Sequence, residues 1–305
     1  MLRLALILTI LGIGAASLPA QRPEATSLLG KPLVPSTPPD DTLERLEANL
    51  AAAREQYKKN PGDPDAVIWV GRRLGYLGRY REAIATFSEG MHKHPADARM
   101  YRHRGHRYIT VREFDKAVAD LRKASEMIAG KADQIEPDGQ PNAKNIPTST
   151  LNTNIFYHLG LAHYLRSEFE AALKAYRECI RFSKNADMLV ATTHWLYMTL
   201  RRLDRPGEAR QALEPIVADM EIIENTSYHR LLMLYKGETK IDALTSSLAE
   251  GGLDAVTIGY GVGNWHFYSG RRDQALATFR EIVEKHETQW PAFGYIAAEA
   301  ELVKK

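Results

Sequence analysis

Small residues recur along this chain at a fixed interval, and no other feature narrows its possible folds as far. Gly71 and Gly105, Ala83 and Ala117, and Gly90 and Ala124 are each 34 positions apart, as are the large residues Tyr80 and Phe114, and Phe87 and Leu121. A period of this length marks stacked helical hairpins. The small residues belong where the two helices of a hairpin come closest, and Phe87, one helical turn beyond Ala83, fills the space between successive hairpins. A lone hairpin cannot bury both faces and has to stack on a neighbour.

The chain of 305 residues has the hydrophobic and charged fractions of a folded soluble protein, 44% and 26%. Lys plus Arg number 40 against 38 Asp plus Glu, a formal charge of +2. That balance gives no field favouring nucleic acid or an anionic membrane. The start, "MLRLALILTILGIGAASLPAQRPE", sets Arg3 before an uncharged apolar run from Leu4 to Ala16. The run is shorter than the ~20 residues that span a bilayer, so residues 1–20 read as a secretory signal cut after Ala20, with an uncleaved anchor as the alternative because Leu18 stands where a small residue suits. Export in this way places the mature protein in the periplasm or outside the cell, with no stable membrane span after cleavage. Cys179 is the single cysteine, so no internal disulfide can form; on the apolar side of "AYRECIRF" it reads as a small buried residue rather than a nucleophile.

The first full copy, "DPDAVIWVGRRLGYLGRYREAIATFSEGMHKHP", resembles the tetratricopeptide repeat through Gly71, Ala83, Phe87, Gly90 and Pro95. Leu74 departs from the family's aromatic and Gly90 from its alanine. A third copy, "NIFYHLGLAHYLRSEFEAALKAYRECI", carries Gly160, Phe169, Ala172, Tyr176 and Cys179. The fourth keeps Ala209 and Leu213 but has Tyr197 at the glycine place, and the fifth rests on Ala243, 34 beyond Ala209. The sixth restores Gly263, Gly270, Ala275, Phe279 and Ile282. The resemblance implies an all-α, right-handed superhelical solenoid of about six hairpins with half-repeat caps.

Domain boundaries follow from the same register. Residues 21–40 form a Pro-rich linker expected to be disordered, 41–61 an N-terminal capping helix, 62–130 copies one and two, and 153–287 copies three to six; 288–305 form a closing helix with a polar outer side. Gly105 and Gly160 lie 55 apart, which leaves 21 inserted residues, placed at 131–152 in "GKADQIEPDGQPNAKNIPTSTLNTN". Its Pro, Asp, Gly and Asn content predicts turns, either as a tolerated surface loop or as a loop lying along the groove.

In this family the first helices line a concave surface that takes extended peptides. Projected from the glycine place, that lining is Arg72 and Tyr76, Arg102 and His106, Tyr157 and Tyr164, His194 and Arg201, Tyr228 and Tyr235, and then Tyr260, Asn264 and Phe267. Tyrosine offers apolar area with a hydroxyl and arginine a bidentate fork, so a Tyr-rich, cationic lining suits an acidic or carboxylate-bearing segment of another protein. Tyrosines packed between helices are the alternative. The family's carboxylate-clamping variant is not carried over, since Ile68 stands at its place in the first copy.

His103 and His106 fall at i and i+3, a spacing that can bind metal, but the flanking Arg102, Arg104 and Arg107 repel a cation, so no metal or cofactor is expected. Base stacking on Tyr101 and Tyr108 beside those arginines is the nucleic-acid alternative, against which the near-neutral whole and the leader count. Glu221 and Glu224 in "EIIEN" share helical spacing and read as a solvated helix edge rather than an acid pair. The expected function is therefore a non-catalytic binding scaffold. Its rival is a helical-scaffold enzyme or metal-dependent hydrolase on which His103, His106, His158 and His194 converge.

Overall fold

A computed structural model describes residues 22–244, 246 and 251–304; the expected signal lies outside them. Among the described residues, helices α1 (Asp40–Lys59), α2 (Pro64–Tyr76), α3 (Tyr80–Lys93), α4 (Ala98–Thr110) and α5 (Phe114–Ile128) precede the insertion. After it come α6 (Leu151–Leu165), α7 (Phe169–Phe182), α8 (Ala186–Arg202), α9 (Pro206–Ala212), α10 (Thr226–Lys236), α11 (Gly252–Phe267), α12 (Arg272–Lys285) and α13 (Phe293–Leu302). The result is an all-α solenoid of antiparallel hairpins, α2/α3, α4/α5, α6/α7, α8/α9 and α11/α12, with α10 opening a further hairpin whose return lies partly outside the described residues.

Sterics explain why the repeat residues recur. A Cβ added at Gly105 would lie 2.7 Å from Leu121 Cγ and one at Gly160 2.6 Å from Tyr176 Cε1. Gly71 stands in the same relation to Phe87, and Gly263 to Phe279. In every case the large residue follows the glycine by 16 positions, so the facing helices touch at one repeated point. Seven residues beyond the glycine place the chain reverses through a left-handed residue, which is Gly78, Arg112, Ser167, Asp204 and Gly270 in five hairpins. Only two of these are the glycine that such a backbone favours. Helix α2 is capped by Asp63, whose side chain accepts from Asp65 N, and α6 by a Thr150–Thr153 capping box.

Both ends depart from expectation. Residues 25–33 are ordered as a small antiparallel hairpin, Ala25–Thr26 on Pro32–Leu33, with Ala25 and Leu33 buried. Ser27 Oγ accepts from the amides of Leu29 and Lys31 and closes its turn. Trp290 Nε1 donates to Val34 O at 2.9 Å, and Arg81 Nε to Glu24 O at 2.8 Å, so the segment is stapled to the first copy and to the C-terminal region together. Its prolines limit the conformations that ordering must remove, and burial of Leu33 offsets the rest.

Helix α13 does not close the solenoid with a polar back. It is buried from Gly294 to Glu301 and lies against α11, α12 and α6. Gly294 makes this possible: its Cα faces backbone, with Thr257 Cα 3.3 Å from where a Cβ would stand. The curl is tight enough that Glu299 Oε2 accepts from Arg112 Nε at 3.0 Å, with side chains 1% and 3% exposed. Arg112 also donates to Trp290 O at 2.8 Å.

Two stability measurements test this packing. Gly160→Val should lower the urea midpoint by the equivalent of about 1–3 kcal/mol, the usual cost of overpacking, while Gly62→Val, which meets nothing within 4 Å, should leave it in place. Arg112→Met leaves Glu299 charged and unpaired inside the protein and should cost about 3–5 kcal/mol, with most of it recovered in the Arg112→Met/Glu299→Met double variant. Equal losses in the single and double variants would show that the pair does not close the curl.

Candidate functional site

The concave side of the solenoid is partly occupied by the chain itself. The insertion leaves α5 and returns to α6 through a bridge between Ile135 and Thr150, with Leu151 N donating to Gln134 O at 2.8 Å. Between these points it crosses the concave face. Arg73 Nη1 donates to Gly139 O at 2.7 Å, and Gly139 lies against the Tyr76 hydroxyl so closely that a side chain there would collide with it. At its far side Asn142 Nδ2 and Thr148 Oγ1 donate to Glu224 at 3.1 and 2.6 Å, and Lys144 pairs with Glu221. The insertion thus bridges copy one to the turn before α10.

Glu221 and Glu224 are accordingly not on a helix edge. The segment from Ile223 to Asn225 wraps the buried Asp187 carboxylate, which accepts from the amides of Ile223, Glu224 and Asn225 at 2.9, 2.7 and 3.0 Å. Three backbone donors on one carboxylate stabilise a turn in place of a helix.

Under the insertion and beside the N-terminal end of α13 lies a chamber of about 440 Å³. Its walls come from α4 (Arg102, His106), α6 (Tyr157, His158), α10 (Tyr228) and Phe293. Phe293 packs on His106, Tyr157 and His158 with ring centroids 5.5, 6.3 and 5.7 Å away, and His106 meets His158 at 4.2 Å. Tyr157 OH donates to Tyr228 OH at 3.4 Å. The lining is not uniformly cationic: Glu224 and Asp254 belong to it as well as Arg102. Arg102 opens into a second, smaller space of about 120 Å³, which it shares with Arg72, Tyr76, His103, Arg107 and Glu136.

The projected lining therefore divides into three. Arg72, Tyr76, Arg102, His106, Tyr157 and Tyr228 surround these two connected spaces. Tyr164, His194, Tyr260 and Asn264 are at most 1% exposed and belong to the core. Tyr164 is bonded to the Tyr260 hydroxyl at 3.0 Å and donates to Asn264 Oδ1 at 3.3 Å. This network continues to Glu301, which pairs with the buried Arg202. Arg201, Tyr235 and Phe267 sit elsewhere: Arg201 lies over Tyr268 at 4.4 Å, Tyr235 stacks on Tyr197 at 4.5 Å, and Phe267 packs on Arg202 at 4.2 Å. The tight curl accounts for the difference, because an inward position near the middle of a closed solenoid faces another helix.

Of the four histidines only His106 and His158 meet, and His103 and His194 pack elsewhere. His103 stacks on Phe87 at 5.3 Å, and its Nδ1 lies 2.9 Å from Arg102 Nη1. His158 Nδ1 meets Asn154 O at 2.6 Å, and His194 stacks between Tyr228 and Tyr235. Burial holds His103, His106 and His158 well below the ordinary imidazole range, with Arg102 or Arg107 next in effect, and burial alone takes His194 down to about 3. Among the described residues no group of three or more His, Cys, Asp or Glu is placed to hold a metal ion. Cys179 is buried with Sγ 3.2 Å from Thr192 Oγ1, and burial pushes its thiol up to about 12. Among the described residues no helix is long and apolar enough to cross a membrane.

Sequence reasoning missed Arg107, Glu136 and Phe293 as parts of the site. Arg107 follows His106 in α4 and was legible only as one basic residue of a run, while Glu136 and Phe293 arrive from the insertion and from α13.

No protein-family model matches the chain, and no curated protein matches it in sequence. Among solved structures it is similar to MamA (AMB-1), with 16% identity over 57% of this chain and 89% of that one and a TM-score of 0.41. It is also similar to YrrB, described as a TPR protein with an unusual peptide-binding site, with 15% identity over 82% of this chain and 97% of that one and a TM-score of 0.43.

The depressed histidines fix a pH dependence. Below the unfolded value of about 6.5 the unfolded chain takes up protons that the folded one refuses, so stability falls as pH drops, by up to about 1.4 kcal/mol per pH unit for each such residue. Thermal melts from pH 7 to 4 should show a shallower decline for His194→Phe than for the parent, since phenylalanine keeps the stacking on Tyr228 and Tyr235 without the titration. Parallel declines would mean that His194 is not held neutral.

Proposed function

We propose that this protein is a non-catalytic scaffold that holds a short acidic or carboxylate-bearing segment of a partner protein in its concave chamber. The observation that carries the reading is the chamber itself: a preformed space within the ~300–1,000 Å³ of ligand sites, walled by Tyr157, Tyr228 and Phe293, with a guanidinium at one side. Aromatic walls supply contact area at small entropic cost, and Arg102 supplies the charge that orients an anionic group. A long segment threaded along the whole groove does not fit, because the insertion and α13 already lie in it; the occupant enters by an end or as a tight turn. Arg3 followed by the uncharged apolar run from Leu4 to Ala16 supports a setting in the cell envelope or the secreted space.

Panning a library of short acidic peptides against the chain from residue 21 onward tests this. Selected peptides should lose at least ten-fold in affinity for Phe293→Ala and Tyr228→Ala, and should be unchanged for Arg201→Gln outside the chamber. Peptides that bind all of these variants equally would exclude the chamber as the binding site.

A further inference from the structure

Three arginines largely shielded from water in this protein are matched to a carboxylate. Arg104 makes a two-pronged contact with Asp120 at 2.7 and 2.8 Å, Arg112 pairs with Glu299, and Arg202 pairs with Glu301. The small space beside the chamber differs from these. Arg107 has no acidic partner among the described residues; its Nη2 meets only the His106 ring, 2.8 Å from Nε2, and its guanidinium lies 5.6 Å from the Tyr80 ring. It lies across α2 because Gly75 leaves room, a Cβ there falling 3.1 Å from Arg107 Nη1. Arg72 likewise has no ion pair, only the Tyr76 hydroxyl at 3.4 Å and the Trp69 ring at 4.6 Å. Arg102 meets Glu136 at 3.0 Å, but its buried Nε has no partner at all, and the residue is 7% exposed.

Three guanidiniums thus share a space of about 120 Å³ with one carboxylate, Glu136. Beyond that space, Asp138 lies close enough to feel Arg72, while Arg73 binds Gly139 O and adds a fourth cation. On either reckoning two positive charges are left without compensation. Like charges held together and partly shielded from water are costly unless an anion joins them, and the unpaired buried guanidinium nitrogen of Arg102 is a donor without its acceptor.

We propose that Arg72, Arg102 and Arg107 form a receptor for a doubly charged oxyanion, a phosphoryl group, carried by the ligand whose remainder occupies the chamber. The space is too small for an organic ligand of ordinary size but admits a single tetrahedral head, and it opens to the chamber at Arg102 and His106, which line both. Donors from α2 and α4 approach from different sides, which suits a tetrahedral group more than a planar carboxylate, and a dianion matches the two uncompensated charges. Glu136 and the roof formed by Gly139 over Tyr76 hold the donors in place. The inference rests on the reading of the chamber as a binding site only for the rest of the ligand.

Titration calorimetry at low salt, with inorganic phosphate as probe and the chain from residue 21 onward as receptor, tests the pocket. One saturable site is expected, weakened at least ten-fold in Arg107→Gln and Arg72→Gln and unchanged in Arg201→Gln, with acetate binding far more weakly. Phosphate should also raise the melting temperature of the parent and not of Arg107→Gln. Arg72→Gln, at the partly exposed rim, keeps the test usable if Arg107→Gln does not fold. Absence of saturable phosphate binding, or equal binding by parent and variants, would overturn the proposal, and acetate binding as tightly as phosphate would overturn its dianionic part. If phosphate fails while peptides still respond to Phe293→Ala, only this inference falls; if phosphate binds and no peptide does, the chamber reading falls and the pocket stands.

Discussion

Glu299 of α13 meets Arg112 in the turn between α4 and α5, across 187 residues of chain, and both side chains are almost wholly shielded from water. Two ions buried this deeply are stable only together and with further hydrogen bonds around them; Arg112 donates to Trp290 O and Thr110 O, and Leu28 N donates to Glu299. The N-terminal hairpin, the second repeat and the last helix are therefore committed to one arrangement. A solenoid of hairpins has no intrinsic reason to stop curling at a given radius, since each hairpin contacts only its neighbours. Here the radius is set where the two ends meet.

From that closure the rest of the interior follows. With α13 inside the curl, Tyr164, Tyr260 and Asn264 find one another and Glu301 rather than a groove, and Phe293 is brought against His106, Tyr157 and His158. What stays open is the stretch between α4, α6 and α10, and the insertion roofs it. A chamber whose walls are fixed from three directions loses little freedom when a ligand enters, which suits selective recognition of a short group. The contrast among the arginines then becomes informative. Arg112 and Arg202 are each paired with a carboxylate of the last helix, whereas Arg72 and Arg107 are held in place without a carboxylate.

How much of this was legible in the sequence differs from residue to residue, for physical reasons. The hairpins and their order were legible because the determinant is local and repeated: a glycine in one helix faces a large residue 16 positions later, and four copies print the same pair, Gly71 with Phe87 through Gly263 with Phe279. Arg72, Arg102, His106, Tyr157 and Tyr228 could be placed near a concave face by counting from that glycine. The same count carried Tyr164, Tyr260 and Asn264 there too, because a repeat register specifies direction within a hairpin and is silent about what lies opposite.

What only the tertiary structure decided is everything that depends on contacts between distant parts of the chain. A proline-rich stretch with few apolar residues reads as unstructured until Leu33 and Val34 are seen against the first repeat and Trp290. A small-residue helix reads as a cap until Gly294 is found on the backbone of α11. The sequence by itself determined the unit and its stacking, since the same local packing recurs in four copies. The radius of the curl, and with it the burial of the tyrosines, the chamber and the unpaired arginines beside it, arises from the meeting of the ends and the crossing of the insertion, which no periodicity encodes.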